Sequence, residues 1–267
     1  MILATGAGEA RQLSAAFGAA RARLGLVATL FALAGAGWLW SVHQMRGMDT
    51  GPWTGLGTLV WFLAVWVAMT AAMMLPSVAP TIALYSRMVR TRSAASPLVF
   101  AAGYLATWAA AGLVAFGFGR GVSAIWGGGL SWSEAGRPLA GATLLAAAVY
   151  ELTPFKQACV GRCRSPLGAL LGSWRDGLLG AFQMGTRNGA WCLGCCWALM
   201  ASLFALGVMN AVFMAVIAGL VTVEKTLPWR RVAVLGTASV LTVAGVMVLV
   251  APTGVPLLTL PQSTMHM

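Results

Sequence analysis

The sequence predicts an all-α fold, a polytopic transmembrane helical bundle of about seven helices, and three observations carry that expectation. Of 267 residues, 59% are hydrophobic and only 9% charged, against roughly 25% charged in an ordinary soluble domain. The mean hydropathy of +0.82 comes from long charge-free runs, and a hydrocarbon layer of about 30 Å takes roughly 20 apolar residues of helix to cross. The 33 glycines suit helices that must approach closely, because lipid supplies no hydrophobic drive between them.

The spans follow in order. Leu24 to Val42 is the first, ending near His43. The second runs from Leu56 to Leu75 and is expected to stop at Pro76. Pro97 to Gly119 is the third, and the shorter stretch Pro138 to Leu152 is the fourth, with Glu151 near its end. The run from Asn188 to Val223 holds 36 residues without a charge, too many for one span at about 1.5 Å each. It is expected to fold as two helices, five and six, turning near Gly207 and Asn210. Val232 to Ala251 is the seventh.

One membrane domain accounts for the chain: an N-terminal segment over 1–23, the bundle over 24–251 and a short tail over 252–267. Basic residues ahead of the first apolar run, and the small residues Leu33-Ala34-Gly35-Ala36, give the N-terminus a signal-like look. The apolar run exceeds the usual 7–15 residues of a signal core, so an uncleaved first helix is expected. Of the 17 basic residues, 14 fall in alternate connecting segments. They are Arg11, Arg21 and Arg23; Arg87, Arg90 and Arg92; Lys156, Arg162, Arg164, Arg175 and Arg187; and Lys225, Arg230 and Arg231. Arg46, Arg120 and Arg137 occupy the other side. That asymmetry places the N-terminus in the cytoplasm and the uncharged tail on the periplasmic side. The net charge of +11 thus reads as a topology code facing the lipid bilayer and its anionic headgroups, and nucleic acid is not an expected partner. Trp38, Trp40, Trp53, Trp126, Trp132, Trp174 and Trp229 sit near span ends, as interfacial aromatics do.

The chemistry is concentrated in sulfur. Cys192, Cys195 and Cys196 stand at i, i+3 and i+4, which puts three thiols on one face of a helix. Cys159 and Cys163 lie in the basic connection that precedes it, on the same cytoplasmic side. Reduced cytosolic thiols favour a metal site over disulfides. Spans two, four and six also end on this side at Pro76, Pro154 and Pro228. There they would add Met69, Met73 and Met74, Tyr150 and Glu151, and Glu224 and Lys225. Thiolates with thioethers suit copper(I), which is favoured; zinc, the alternative, takes four ligands in a closed tetrahedron. Each signal has a plainer reading. Cysteine and methionine pack well in cores, Glu151 is expected to be paired or to reach water, and neighbouring arginines would activate incidental loop thiols. His43 and His266 fall on the far side and are assigned no role. With no phosphate loop, dinucleotide fingerprint or Ser-His-Asp set, the chain is not expected to be an enzyme.

The stretches Met69-Thr70-Ala71-Ala72-Met73-Met74-Leu75-Pro76, Tyr150-Glu151-Leu152-Thr153-Pro154-Phe155-Lys156 through Cys163-Arg164-Ser165-Pro166, and Cys192-Leu193-Gly194-Cys195-Cys196-Trp197-Ala198-Leu199-Met200 carry a resemblance. They resemble a bacterial family described as predicted metal-binding integral membrane proteins, a domain of unknown function. The block from Gly207 to Lys225 is similar too, so the likeness runs from about Val60 to Pro228. It implies a bacterial inner-membrane protein that handles a metal. Members often carry a histidine a few positions before the cysteine block, where this chain has Asn188.

The expected function is binding or handling of a soft transition metal at a cytoplasmic-side site. Cys192, Cys195 and Cys196 would be primary ligands, Cys159 and Cys163 accessory or transfer ligands, and Met73, Met74 and Glu151 their surroundings. A metallochaperone or a larger membrane complex is the expected protein partner. The alternatives are a structural or assembly subunit whose cysteines pack, and a transporter.

Overall fold

A computed structural model describes residues 24–45, 57–89, 95–126, 136–205, 211–227 and 229–250. Among these residues there are nine helices and no strand. They are α1 (Leu24–Met45), α2 (Leu59–Met88), α3 (Ala95–Trp126), α4 (Arg137–Glu151), α5 (Pro154–Cys163), α6 (Pro166–Leu171), α7 (Gly177–Ala205), α8 (Ala211–Thr226) and α9 (Arg230–Val250). Several sequence expectations lie outside the described residues. They are the segment 1–23, the tail 252–267, the turn at Gly207 and Asn210, the stop at Pro228, and the placements of Arg46, Arg90, Arg92, Trp53, Trp132 and His266.

The all-α class holds, but the count of about seven spans is corrected. Four stretches are long and apolar enough to cross a membrane: Leu24–His43, Leu59–Met88, Ala95–Ile125 and Arg231–Val250. Helices α4 and α8 have 15 and 16 residues, about 22–24 Å at 1.5 Å per residue, against the 30 Å a span needs. Helix α7 has the length, but it begins at Gly177 rather than Asn188 and so takes in Gln183, Arg187 and Asn188.

Two further boundaries move for local reasons. Helix α2 does not stop at Pro76; it continues through Pro76 and Pro80 to Met88. Each proline removes one backbone donor, and the side chain of Ser77 donates to the Met74 carbonyl at 2.9 Å within this stretch. A helix packed among others tolerates such breaks in its ladder. The basic connection after α4 is not an open loop but the short helices α5 and α6. Pro154 opens α5 at its first position, where a missing donor costs nothing, and the Thr153 side chain accepts from the Lys156 amide at 3.3 Å.

The helices pack in the order α1, α2, α3, α7, α4, α9, while α5 packs on α7 and α8 touches α7, α9 and α2. Glycine sets the closest crossing. A Cβ at Gly103 would lie 2.2 Å from the Phe182 carbonyl oxygen, and one at Gly185 would lie 2.0 Å from that of Phe100. Only a bare backbone fits there. Across the same seam Thr107 donates to the Thr186 carbonyl at 3.1 Å. Between α2 and α3 the Trp66 indole donates to the Trp108 carbonyl at 2.7 Å. These crossings fix α2, α3 and α7 side by side, and the cysteines of α7 face the resulting core.

Candidate metal centre

The earlier start of α7 places Cys192, Cys195 and Cys196 within the helix and not in its first turns. Gly177, at φ +81°, supplies the left-handed residue from which the chain enters α7. At i, i+3 and i+4 the three sulfurs come within 4.8 Å of one another, and all three residues are buried. Cys195 and Cys196 are the nearest pair, Sγ to Sγ 3.2 Å.

Other helices add to this face. Helix α5 brings the Cys163 sulfur to 3.8 Å from that of Cys195. Helix α2 brings the Met74 thioether to 3.9 Å from the Cys192 sulfur. From α3 the Tyr104 hydroxyl donates to Cys192 Sγ at 2.9 Å, and from α8 the Lys225 ammonium donates to the same sulfur at 3.1 Å. A hydroxyl and an ammonium donating to one sulfur is the arrangement a thiolate receives. Lys225 also lies 3.2 Å from Ser77 Oγ and 3.8 Å from Met74 Sδ.

The spacing fits one soft ion. Two sulfurs bound tetrahedrally at about 2.3 Å stand about 3.8 Å apart, and the Cys163–Cys195 and Cys192–Met74 separations of 3.8 and 3.9 Å already match. The tighter Cys195–Cys196 contact opens if one of the two side chains turns. Cys163 is half-buried, whereas Cys192, Cys195 and Cys196 are all but inaccessible, so Cys163 is the most exposed residue of the sulfur set.

The remaining residues singled out from the sequence sit elsewhere. Cys159 packs against Gly194, where an added Cβ would lie 2.9 Å from its sulfur, and burial pushes its thiol pKa up. Met73 is one position, and therefore about 100°, around α2 from Met74 and is buried in the apolar core. Asn188 stands one turn before Cys192 and is half-buried.

Glu151 belongs to a second cluster. Its carboxylate pairs with Lys156, whose ammonium also meets the Glu224 carboxylate at 2.8 Å. Arg164 is buried beside them and donates to the Glu224 backbone carbonyl at 2.8 Å. Lys156 thus bridges two buried carboxylates, with Arg164 tied to the backbone of one of them. Burial disfavours the charge on Lys156, but the Glu224 and Glu151 carboxylates outweigh it and hold its pKa above the ordinary value.

Sequence reasoning missed Tyr104 and Ser77, read Arg164 only as a charge beside the loop thiols, and offered Glu224 as a partner for Lys225, which instead meets Cys192. A usable signal existed for Tyr104, one of three tyrosines in the chain and a polar group inside an apolar span. Helix α5 is fastened over the thiols by Arg162, whose guanidinium lies 5.0 Å from the Trp191 ring centre. The Tyr150 hydroxyl, which donates to the Gly194 carbonyl, ties the end of α4 to the same turn of α7.

In comparison with known proteins, the family model described as PpoB2, copper chaperone, matches residues 63–248. Neither a curated protein nor a solved structure matches the chain.

Proposed function

The chain belongs to the PpoB2 copper chaperone family, and on that premise we propose that it carries copper(I) as cargo in the sulfur cluster and hands it to a partner protein. One observation carries the reading: Cys163, Cys192, Cys195, Cys196 and Met74 bring five sulfurs together from three helices at metal-bridging separations. Copper(I) accepts two or three soft donors, thioether included, whereas zinc prefers a closed set of four thiolates or imidazoles. Glu151 and Glu224, the carboxylates expected near the site, are both engaged by Lys156.

In this reading Cys192, Cys195 and Cys196 are the principal ligands and Met74 the neutral one. Half-buried Cys163 is the exchange thiol: a donor's copper meets it first and passes inward as each new sulfur bond replaces an old one. Each thiol loses its proton on binding, so loading releases protons. For Cys159 the packing on Gly194 favours a structural role.

The four long apolar helices support a place in a bacterial inner membrane. Arg11, Arg21 and Arg23 before the first span and Arg87, Arg90 and Arg92 after the second, against Arg46 between those two spans, support a cytoplasmic N-terminus. The partner is then a metallochaperone or a copper-requiring membrane complex.

The test is metal analysis of protein purified under reducing conditions with copper(I) supplied, beside a variant with Cys192, Cys195 and Cys196 changed to serine. Stoichiometric copper in the wild type and none in the variant is expected. A wild type that retains no copper would sink the proposal.

A further inference from the structure

The feature that the sulfur ligands leave unexplained is a lysine among them. Lys225 projects from α8 so that its ammonium lies 3.1 Å from Cys192 Sγ, 3.8 Å from Met74 Sδ and 3.2 Å from Ser77 Oγ. Ser77 in turn donates to the Met74 carbonyl at 2.9 Å, which leaves its oxygen lone pairs toward the ammonium. The neighbouring Glu224 does not neutralise it, because that carboxylate turns to Lys156. A fixed positive charge is thus built into the wall of a cation site, held by α2 and α7 together.

We propose that Lys225 sets the metal specificity of the sulfur cluster, favouring a monovalent soft ion over a divalent one. The argument is charge arithmetic and rests on the reading of the cluster as a metal site. For any given number of thiolates, replacing M⁺ by M²⁺ removes one unit of negative charge from the complex. A fixed cation a few ångströms away therefore loses one unit of attraction, in a buried place where water screens little. Two thiolates with copper(I) carry one negative charge, which Lys225 balances. The same two thiolates with zinc are neutral and leave the ammonium without a counter-charge. A divalent ion must recruit at least one more thiolate to regain balance, and the 3.2 Å approach of Cys195 to Cys196 means rearrangement to do so. Lys225 also bounds the site on the Met74 side, so the coordination sphere stays small there.

The experiment compares copper(I) and zinc affinities by chelator competition, under reducing conditions, for full-length protein and for Lys225→Leu and Lys225→Arg. In Lys225→Leu the preference for copper(I) over zinc is expected to fall by about tenfold or more, with zinc affinity rising relative to copper. Lys225→Arg keeps the charge and is expected to keep the preference. Lys225→Gln carries the same expectation as the leucine variant where that one does not fold, as judged by circular dichroism and gel filtration. An unchanged ratio in the neutral variants, or an equal fall in Lys225→Arg, overturns the inference while leaving copper carriage standing. A wild type that binds no copper(I) overturns both.

Discussion

Two buried clusters lie side by side in this molecule, and the chain deals neighbouring residues to each. Cys163 reaches the sulfurs while Arg164 turns to the charges; Lys225 reaches the sulfurs while Glu224 turns to the charges. The ionic cluster engages its own charges, since Lys156 pairs with both Glu151 and Glu224 and Arg164 holds the Glu224 backbone carbonyl. The sulfur cluster is open: its donors are soft, close together and weakly bonded to one another. A paired set of buried charges organises a fold, whereas an open set of soft donors asks for a ligand. Helices α5 and α8 contribute to both, so a metal bound at one cluster is held by elements that the other keeps in place.

The largest expected effect breaks the ionic side. Lys156→Met leaves two carboxylates buried without their shared partner and should cost about 3–5 kcal/mol, read as a lowered midpoint of unfolding in detergent. The pH dependence has a definite sign. The Lys156 pKa is raised above its ordinary value of 10.5, so its contribution is fully present below that value and is lost as pH rises through the higher folded value. Its partner Glu151 titrates in a lower window: burial, only partly offset by Lys156, raises that carboxyl to about 8, so stability should fall as pH rises from the ordinary carboxylate range through about 8.

Next comes the seam that sets both clusters' helices. Gly185→Ala forces a Cβ to within 2.0 Å of the Phe100 carbonyl oxygen and should cost about 1–3 kcal/mol through displaced backbone. Because Tyr104 rides on the same face of α3, copper affinity should fall with stability in this variant. Cys192→Ser sharpens the contrast from the other side. It should abolish tight copper binding while moving the unfolding midpoint by no more than about 1 kcal/mol. Cys163→Ser should keep most copper capacity and slow its exchange with a chelator, measured by stopped flow, because the buried sulfurs lose their most exposed partner. The smallest effect belongs to Cys159→Ala, which should leave copper content unchanged and cost about 1 kcal/mol or less.

Much of this contrast was legible in the sequence, but unevenly. The i, i+3, i+4 spacing of Cys192, Cys195 and Cys196 holds wherever α7 begins, which is why the thiol face survives a start displaced to Gly177. Hydropathy found α1, α2, α3 and α9, whose apolar runs are long. At α4, α7 and α8 it found helices but misjudged them as spans, since α4 and α8 are short and α7 takes in Gln183, Arg187 and Asn188. Pro76 misled because a proline stop rule describes an isolated helix, and α2 is supported on several sides. Glu151 and Met73 were placed with the metal because sequence gives depth in the bundle but not rotation about the helix axis. Lys156, five residues beyond Glu151 across a tight turn, took the carboxylate, and a rotation of one residue made Met74 the methionine at the site.

X-ray absorption at the copper edge of the loaded protein tests the central claim most directly. The account predicts copper(I) in a shell of two to four sulfurs at about 2.2–2.3 Å and no light-atom ligand, a signal lost when Cys192, Cys195 and Cys196 are serine. A shell dominated by nitrogen or oxygen, or an unaltered spectrum in the serine variant, would contradict it.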